Sequence, residues 1–241
     1  MAKLRVHNIE PPTGTDVAFG TTGDTIAVSS DSLKLNTWKD SGGNTLFVSD
    51  GAGTLSNVNS DFSGAGPKLI LSQTASDSAS ISFTADIDNT YDKYMFVMVN
   101  INPATDNTTF SYQASTDGGS NYNTTMTTTT FTAYHREDNA SSGVVYKSGE
   151  DQAQGTAFQI IADYTGNDAD ENCAGVLHLF NPSSTTYVKQ FYARFNNTHN
   201  LPQTEDFFTG GYHNTTSAIN AVQFKFSSGN FDGKIKMYGV T

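Results

Sequence analysis

Apolar residues in this chain never recur at the 3.6-residue spacing of a helix. Where they form a pattern they alternate, and clusters of Gly, Asn and Ser interrupt them every few residues. An all-β chain of short strands and tight turns is the expectation. In Gln190-Phe191-Tyr192-Ala193-Arg194-Phe195, the residues Phe191, Ala193 and Phe195 share one face while Tyr192 and Arg194 share the other. Val222, Phe224 and Phe226 alternate with Gln223 and Lys225 in the same way. Such strands bury one side and leave the other in water. Tyr94-Met95-Phe96-Val97-Met98-Val99 is apolar on both faces, which predicts a central strand buried between two layers.

Composition fits this reading. Charged residues make up 15% and apolar residues 36% of the 241 positions, and Thr, Ser, Asn and Gly fill the difference. Small uncharged polar residues suit turns and exposed strand faces and are poor helix formers. The 11 Tyr and 16 Phe supply enough burial to exclude a disordered chain.

Two regions differ in texture. Gly23-Asp24-Thr25-Ile26-Ala27-Val28-Ser29 returns twenty positions later as Gly43-Asn44-Thr45-Leu46-Phe47-Val48-Ser49, each a Gly-(Asp/Asn) turn ahead of a short strand. Units this small expose an apolar edge and need copies or partners to cover it. Trp38 is the large residue of this region and is expected to be buried against a neighbour. Ser63-Gly64-Ala65-Gly66-Pro67 reads as a hinge, after which strands lengthen and aromatics thicken. The expected organisation is a small strand-turn repeat region over 1–63 and an antiparallel, jelly-roll-like β-sandwich over 64–241.

Catalytic constellations are absent from the sequence. It contains neither Gly-x-Ser-x-Gly nor His-Glu-x-x-His, and its five histidines are scattered. His178 is expected to point outward from a strand. No cofactor or metal is expected. The acidic group Asp163, Asp168, Asp170 and Glu171 fails the EF-hand spacing and reads as a solvated loop. Glu205 and Asp206, near His199, are adjacent on a strand and point opposite ways, so they cannot straddle a glycosidic bond. Cys173, the one cysteine, reads as a buried or idle thiol. A formal charge of −11 repels phosphate backbones and anionic membranes, so neither nucleic-acid binding nor membrane insertion is expected. No apolar run is long enough to span a bilayer, and Met1-Ala2-Lys3-Leu4-Arg5 lacks the apolar stretch of a signal peptide, so synthesis in a cytoplasm is expected.

The C-terminal stretch Phe224 to Val240, with its Ser228-Gly229-Asn230 turn and its Gly233-Lys234-Ile235-Lys236-Met237-Tyr238-Gly239 strand, resembles the closing segment of virion structural proteins of tailed bacteriophages, especially those of aquatic bacteria. Tyr91-Asp92-Lys93-Tyr94 and the hairpin-like Ser115-Thr116-Asp117-Gly118-Gly119-Ser120-Asn121-Tyr122 are similar to the same pattern, and the N-terminal repeats resemble fibre-shaft strand-turns. The resemblance implies a non-enzymatic, trimeric tail fibre or fibre-like appendage of the virion. Its N-terminal region would dock on other virion proteins and its sandwich would meet host-surface glycans. A capsid decoration protein is the alternative, and a glycan-degrading tailspike ranks behind both. Tyr122, Tyr134, Phe207, Phe208 and Tyr212 are the glycan-contact candidates, with Phe207 and Phe208 placed in a long loop. Ile26, Val28, Leu46 and Val48 are the trimer-interface candidates.

Overall fold

The computed structural model describes residues 37–39, 42–49, 52, 55–56 and 66–241. Every regular element in them is a β-strand. The chain divides into two units, Met1–Gly64 and Ala65–Thr241.

In the first unit, β1 (Thr37–Lys39), β2 (Thr45–Ser49) and β3 (Leu55–Ser56) form an antiparallel sheet with β2 in the middle. β2 is the second copy of the repeat. Gly43 opens it at φ 83°, a left-handed turn conformation that only glycine adopts cheaply. Leu46 and Val48 are half-buried within it. The first copy, with Ile26 and Val28, lies outside the described residues. Trp38 departs from expectation: it is 41% exposed and stacks on Phe47 with ring centroids 5.6 Å apart. Among the described residues, the three-stranded sheet supplies Phe47 as the ring on which it stacks.

The second unit is the expected two-sheet antiparallel sandwich. Its strands in chain order are β4 (Lys68–Ser78), β5 (Ile81–Phe83), β6 (Lys93–Pro103), β7 (Thr108–Ser115), β8 (Met126–Arg136), β9 (Ser142–Tyr146) and β10 (Ala153–Gly155). They continue as β11 (Gln159–Thr165), β12 (Cys173–Phe180), β13 (Lys189–Thr198), β14 (Gln203–His213), β15 (Ala221–Phe226) and β16 (Phe231–Val240). The layers are unequal. One is a nine-stranded sheet in the order β10-β8-β14-β13-β12-β6-β16-β4, with β9 also paired to β8; the other has four strands, β11-β7-β15-β5.

An aromatic core fills the space between them. Phe83 and Phe224 from the small sheet meet Phe96 from the large one at centroid distances of 5.3 and 5.4 Å, and Tyr112 meets Phe191 at 5.0 Å. The alternation read from the sequence holds: Phe191, Ala193 and Phe195 are buried while Tyr192 and Arg194 face out. Strand β6 is central, as expected, but it buries one side only. Tyr94, Phe96 and Met98 enter the core, whereas Met95 and Val97 are half-exposed and Val99 is 41% exposed, because among the described residues of this unit no second layer covers the outside of the large sheet.

Two turn assignments need correction. The Asp117-Gly118-Gly119 segment is not a hairpin, since β7 lies in the small sheet and β8 in the large one. It is a corner between layers, shaped by Gly118 and Gly119 at φ 73° and 88° and held by Asp117 accepting from Asn121 N–H at 2.9 Å. Phe207 and Phe208 lie on β14, an eleven-residue strand, and not in a loop. Gly210-Gly211 gave the misleading turn signal. A Cβ on Gly211 would sit 2.3 Å from the Thr127 carbonyl oxygen, so this glycine admits close approach of β8 within the sheet.

Candidate functional site

The small sheet covers the inner side of the large one, and among the described residues of this unit no layer covers the other side of its nine strands. Cross-strand register then aligns side chains into rows. One row passes from Tyr146 through Phe131, Phe208, Arg194, Val176 and Val97 to Lys236. The next passes from Tyr192 through His178 and Met95 to Tyr238. Six strand spacings of about 4.8 Å make the first row roughly 29 Å long.

The rings in these rows support one another. Phe131 and Phe208 stack with centroids 5.1 Å apart and planes 2° from parallel, and the Arg194 guanidinium lies 5.2 Å from the Phe208 centroid. Asp206 holds that guanidinium flat with two hydrogen bonds of 3.0 and 2.7 Å. Tyr192 stacks on His178 at 4.6 Å, with Phe180 beside it at 5.9 Å. Burial under these rings, aided by the Lys93 charge, depresses the His178 imidazole below its usual range. Phe131, Tyr146 and Tyr192 stay 41, 57 and 42% exposed, so their ring faces are open to a ligand. The outer face of the small sheet contrasts with this: Gln223 there donates to Ser82 Oγ at 2.9 Å, and Lys225 sits beside it.

A second cluster sits at the open edge of the sandwich. Lys147 Nζ donates to Asp163 Oδ2 at 3.0 Å, with Asp163 only 1% exposed. Burial alone would lower the Lys147 pKa, but the Asp163 bond and charge outweigh it and the net direction is upward. A recess of about 310 Å³ joins Lys147 to Thr132, Tyr134, Val145, Gln203 and Glu205. Burial raises the Glu205 carboxyl, and its Oε2 has no hydrogen-bond partner. Glu205 faces in and Asp206 faces out, as the strand argument required. This cluster gathers Lys147, Asp163 and Glu205 between the two sheet edges.

No family model, curated protein or solved structure matches this chain.

Of the five glycan-contact candidates, the structure brings Phe208 and Tyr212 onto the outer face of β14. Phe207 is the correction: it is fully buried between the sheets and cannot touch a ligand, because adjacent strand residues face opposite ways. Tyr134 borders the Glu205 recess, with its hydroxyl 3.0 Å from Ser141 Oγ. Tyr122 packs against Gly119 with a buried hydroxyl. The sequence reading missed Phe131, Tyr146 and Tyr192. The signal for Tyr192 was present, since it sits on the outward side of a cleanly alternating strand.

The acidic group does not converge. Asp163 is buried in β11, Asp168 and Asp170 are exposed, and Glu171 accepts from the Asp168 N–H at 2.9 Å. Among the described residues no three His, Cys, Asp or Glu side chains gather as a metal site. Cys173 is fully buried at the start of β12, and burial pushes its thiol up to about 12. No described helix is long and apolar enough to cross a membrane.

Proposed function

We propose that this chain is a non-enzymatic structural protein of a tailed-phage virion, a trimeric tail fibre or fibre-like appendage that adheres to host-surface glycans. The observation that carries the adhesive part is the outer face of the nine-stranded sheet. Pyranose rings present flat C–H faces, and stacked aromatic rings with polar groups at their margins bind such faces. Phe131, Tyr146 and Tyr192 are the open rings; Arg194, Asp206 and Tyr212 are the flanking polar groups. The stacked partners Phe208 and His178 fix ring orientation in advance, which lowers the ordering cost of binding. Weak contacts of this kind become useful when several chains present them together, through avidity. The virion setting and the trimer rest on the sequence resemblance and on the edge-exposing N-terminal repeats.

The test is a panel of bacterial surface polysaccharides presented to the full chain, with bound protein and released reducing ends measured together. Retention on at least one glycan without release of reducing ends is the expected result. Turnover of any glycan would replace the adhesin with a tailspike hydrolase, and no retention at all would remove the adhesive role.

A further inference from the structure

Between Ala65 and Thr241 the chain has nine Lys and Arg against seventeen Asp and Glu. Most of those cations are already engaged. Arg136 pairs with Asp138, Lys147 with Asp163 and Arg194 with Asp206. Lys189 is buried, donating to the Thr215 and Ser217 carbonyls at 3.0 and 2.7 Å. Lys225 lies over the Phe158 ring, and Lys68 borders a recess with Asp86 and Asp88. Lys93 lies 6.0 Å from the Phe180 ring centroid, which leaves Lys234 and Lys236; none of these three makes an ion pair among the described residues.

Register puts all three on the outer face of the nine-stranded sheet. Lys234 and Lys236 are two apart on β16, opposite Val99 and Val97 of β6, and Lys93 lies opposite Val240. On the far side of β16 their neighbours are Thr74 and Ser72 of β4. Carboxylates close to them in the chain are Asp232, two residues along β16 and accepting from the Asp77 N–H at 2.8 Å, and Asp92, next to Lys93. Asp206 lies further along the face and is held by Arg194. An acidic unit therefore carries its uncommitted positive charge at one end of its aromatic rows.

We infer that the ligand of this face is an anionic polysaccharide, its sugar rings on the Phe131 and Tyr192 rows and its carboxylates against Lys234 and Lys236. The inference rests on the adhesive reading above. A nucleic acid is the less suitable polyanion: the unit as a whole is acidic, and among the described residues Lys93, Lys234 and Lys236 border a sheet face and line no basic groove that would track a phosphate chain.

The experiment measures retention of the full chain in affinity gels containing polygalacturonate or neutral dextran, at low and high salt, with single-stranded DNA as a third probe. Polygalacturonate should retard the chain most, and added salt should weaken the effect. Replacing both lysines (Lys234→Gln with Lys236→Gln) should weaken polygalacturonate binding by about tenfold, and Phe131→Ala should weaken it as well. Circular dichroism checks that each variant is folded. Equal retardation by dextran, unchanged in the lysine variant, would overturn the charge preference and leave the glycan reading standing. Polygalacturonate binding lost with the lysines but untouched by Phe131→Ala would instead remove the aromatic platform. Preference for DNA, or no retardation by either polysaccharide, overturns the inference.

Discussion

Phe208 lies flat on Phe131, the two rings 5.1 Å apart and within 2° of parallel, on a sheet face where solvent would otherwise meet both. The pair joins β14 to β8 and is itself capped by Arg194. Its neighbour Phe207, one residue earlier, is wholly inside the sandwich. One dipeptide thus supplies a core residue and a surface ring.

That difference is measurable as stability. Phe207→Ala removes a fully buried ring and should cost about 3–5 kcal/mol. Phe131→Ala removes an exposed stacked ring and should cost about 0.5–1.5 kcal/mol. Urea unfolding of the two variants checks the order; similar losses would mean that the outer pair is part of the core.

Gly211 offers a backbone test of β14. Adding a Cβ there meets the Thr127 carbonyl oxygen at 2.3 Å, whereas at Gly210 the first contact is at 3.9 Å. Gly211→Ala should destabilise by about 1–3 kcal/mol through forced separation of β8 and β14, and Gly210→Ala should be close to neutral. Thermal melts of the pair decide it.

Acid should destabilise the sandwich through His213. Its ring lies between Thr124 Oγ1 at 2.7 Å and the Tyr112 hydroxyl at 3.2 Å, and burial, assisted by Lys189, pushes its pKa down from 6.5 to about 3. The unfolded chain therefore takes up the proton first. This contribution is complete above pH 6.5 and is lost as pH falls toward about 3, with a slope of about 1.4 kcal/mol per unit. Glu205 works in the opposite sense: its folded pKa is raised from 4.5 by burial, so its contribution is lost as pH rises through the folded value. Urea midpoints at pH 7.5 and 5.5 for wild type and His213→Gln separate the two. The variant should show a smaller difference between the two pH values than wild type, the remainder coming from His178 and His199, whose pKa values burial also lowers, and from Glu205.

Removing Lys147 should strand a buried carboxylate. Lys147→Met leaves Asp163, 1% exposed, without its cation, at a cost of about 3–5 kcal/mol. Lys147→Met with Asp163→Leu should recover much of that loss, and a double-mutant cycle in urea measures the coupling.

Strands and their inward faces were legible because alternation is written into single segments such as Gln190 to Phe195. The outer face was harder to read. Phe131, Phe208 and Arg194 come from three strands far apart in the chain, and only register places them side by side. Gly210-Gly211 obscured the third of those strands, since glycine marks a turn and a close interstrand approach with the same letter. Val99 was misplaced for a related reason: an apolar outward position looks the same in sequence whether a second layer covers it or water does.

The central claim is that the outer face of the nine-stranded sheet is the adhesive surface. It is tested most directly by retention of the full chain on its best-binding polysaccharide, compared between wild type and the Phe131→Ala, Tyr192→Ala double variant. Both rings are exposed, so the variant should stay folded, with near-wild-type circular dichroism. The account expects retention to be lost in the double variant and kept in Tyr122→Phe, which alters a ring elsewhere in the fold. Undiminished retention in the folded double variant would contradict it.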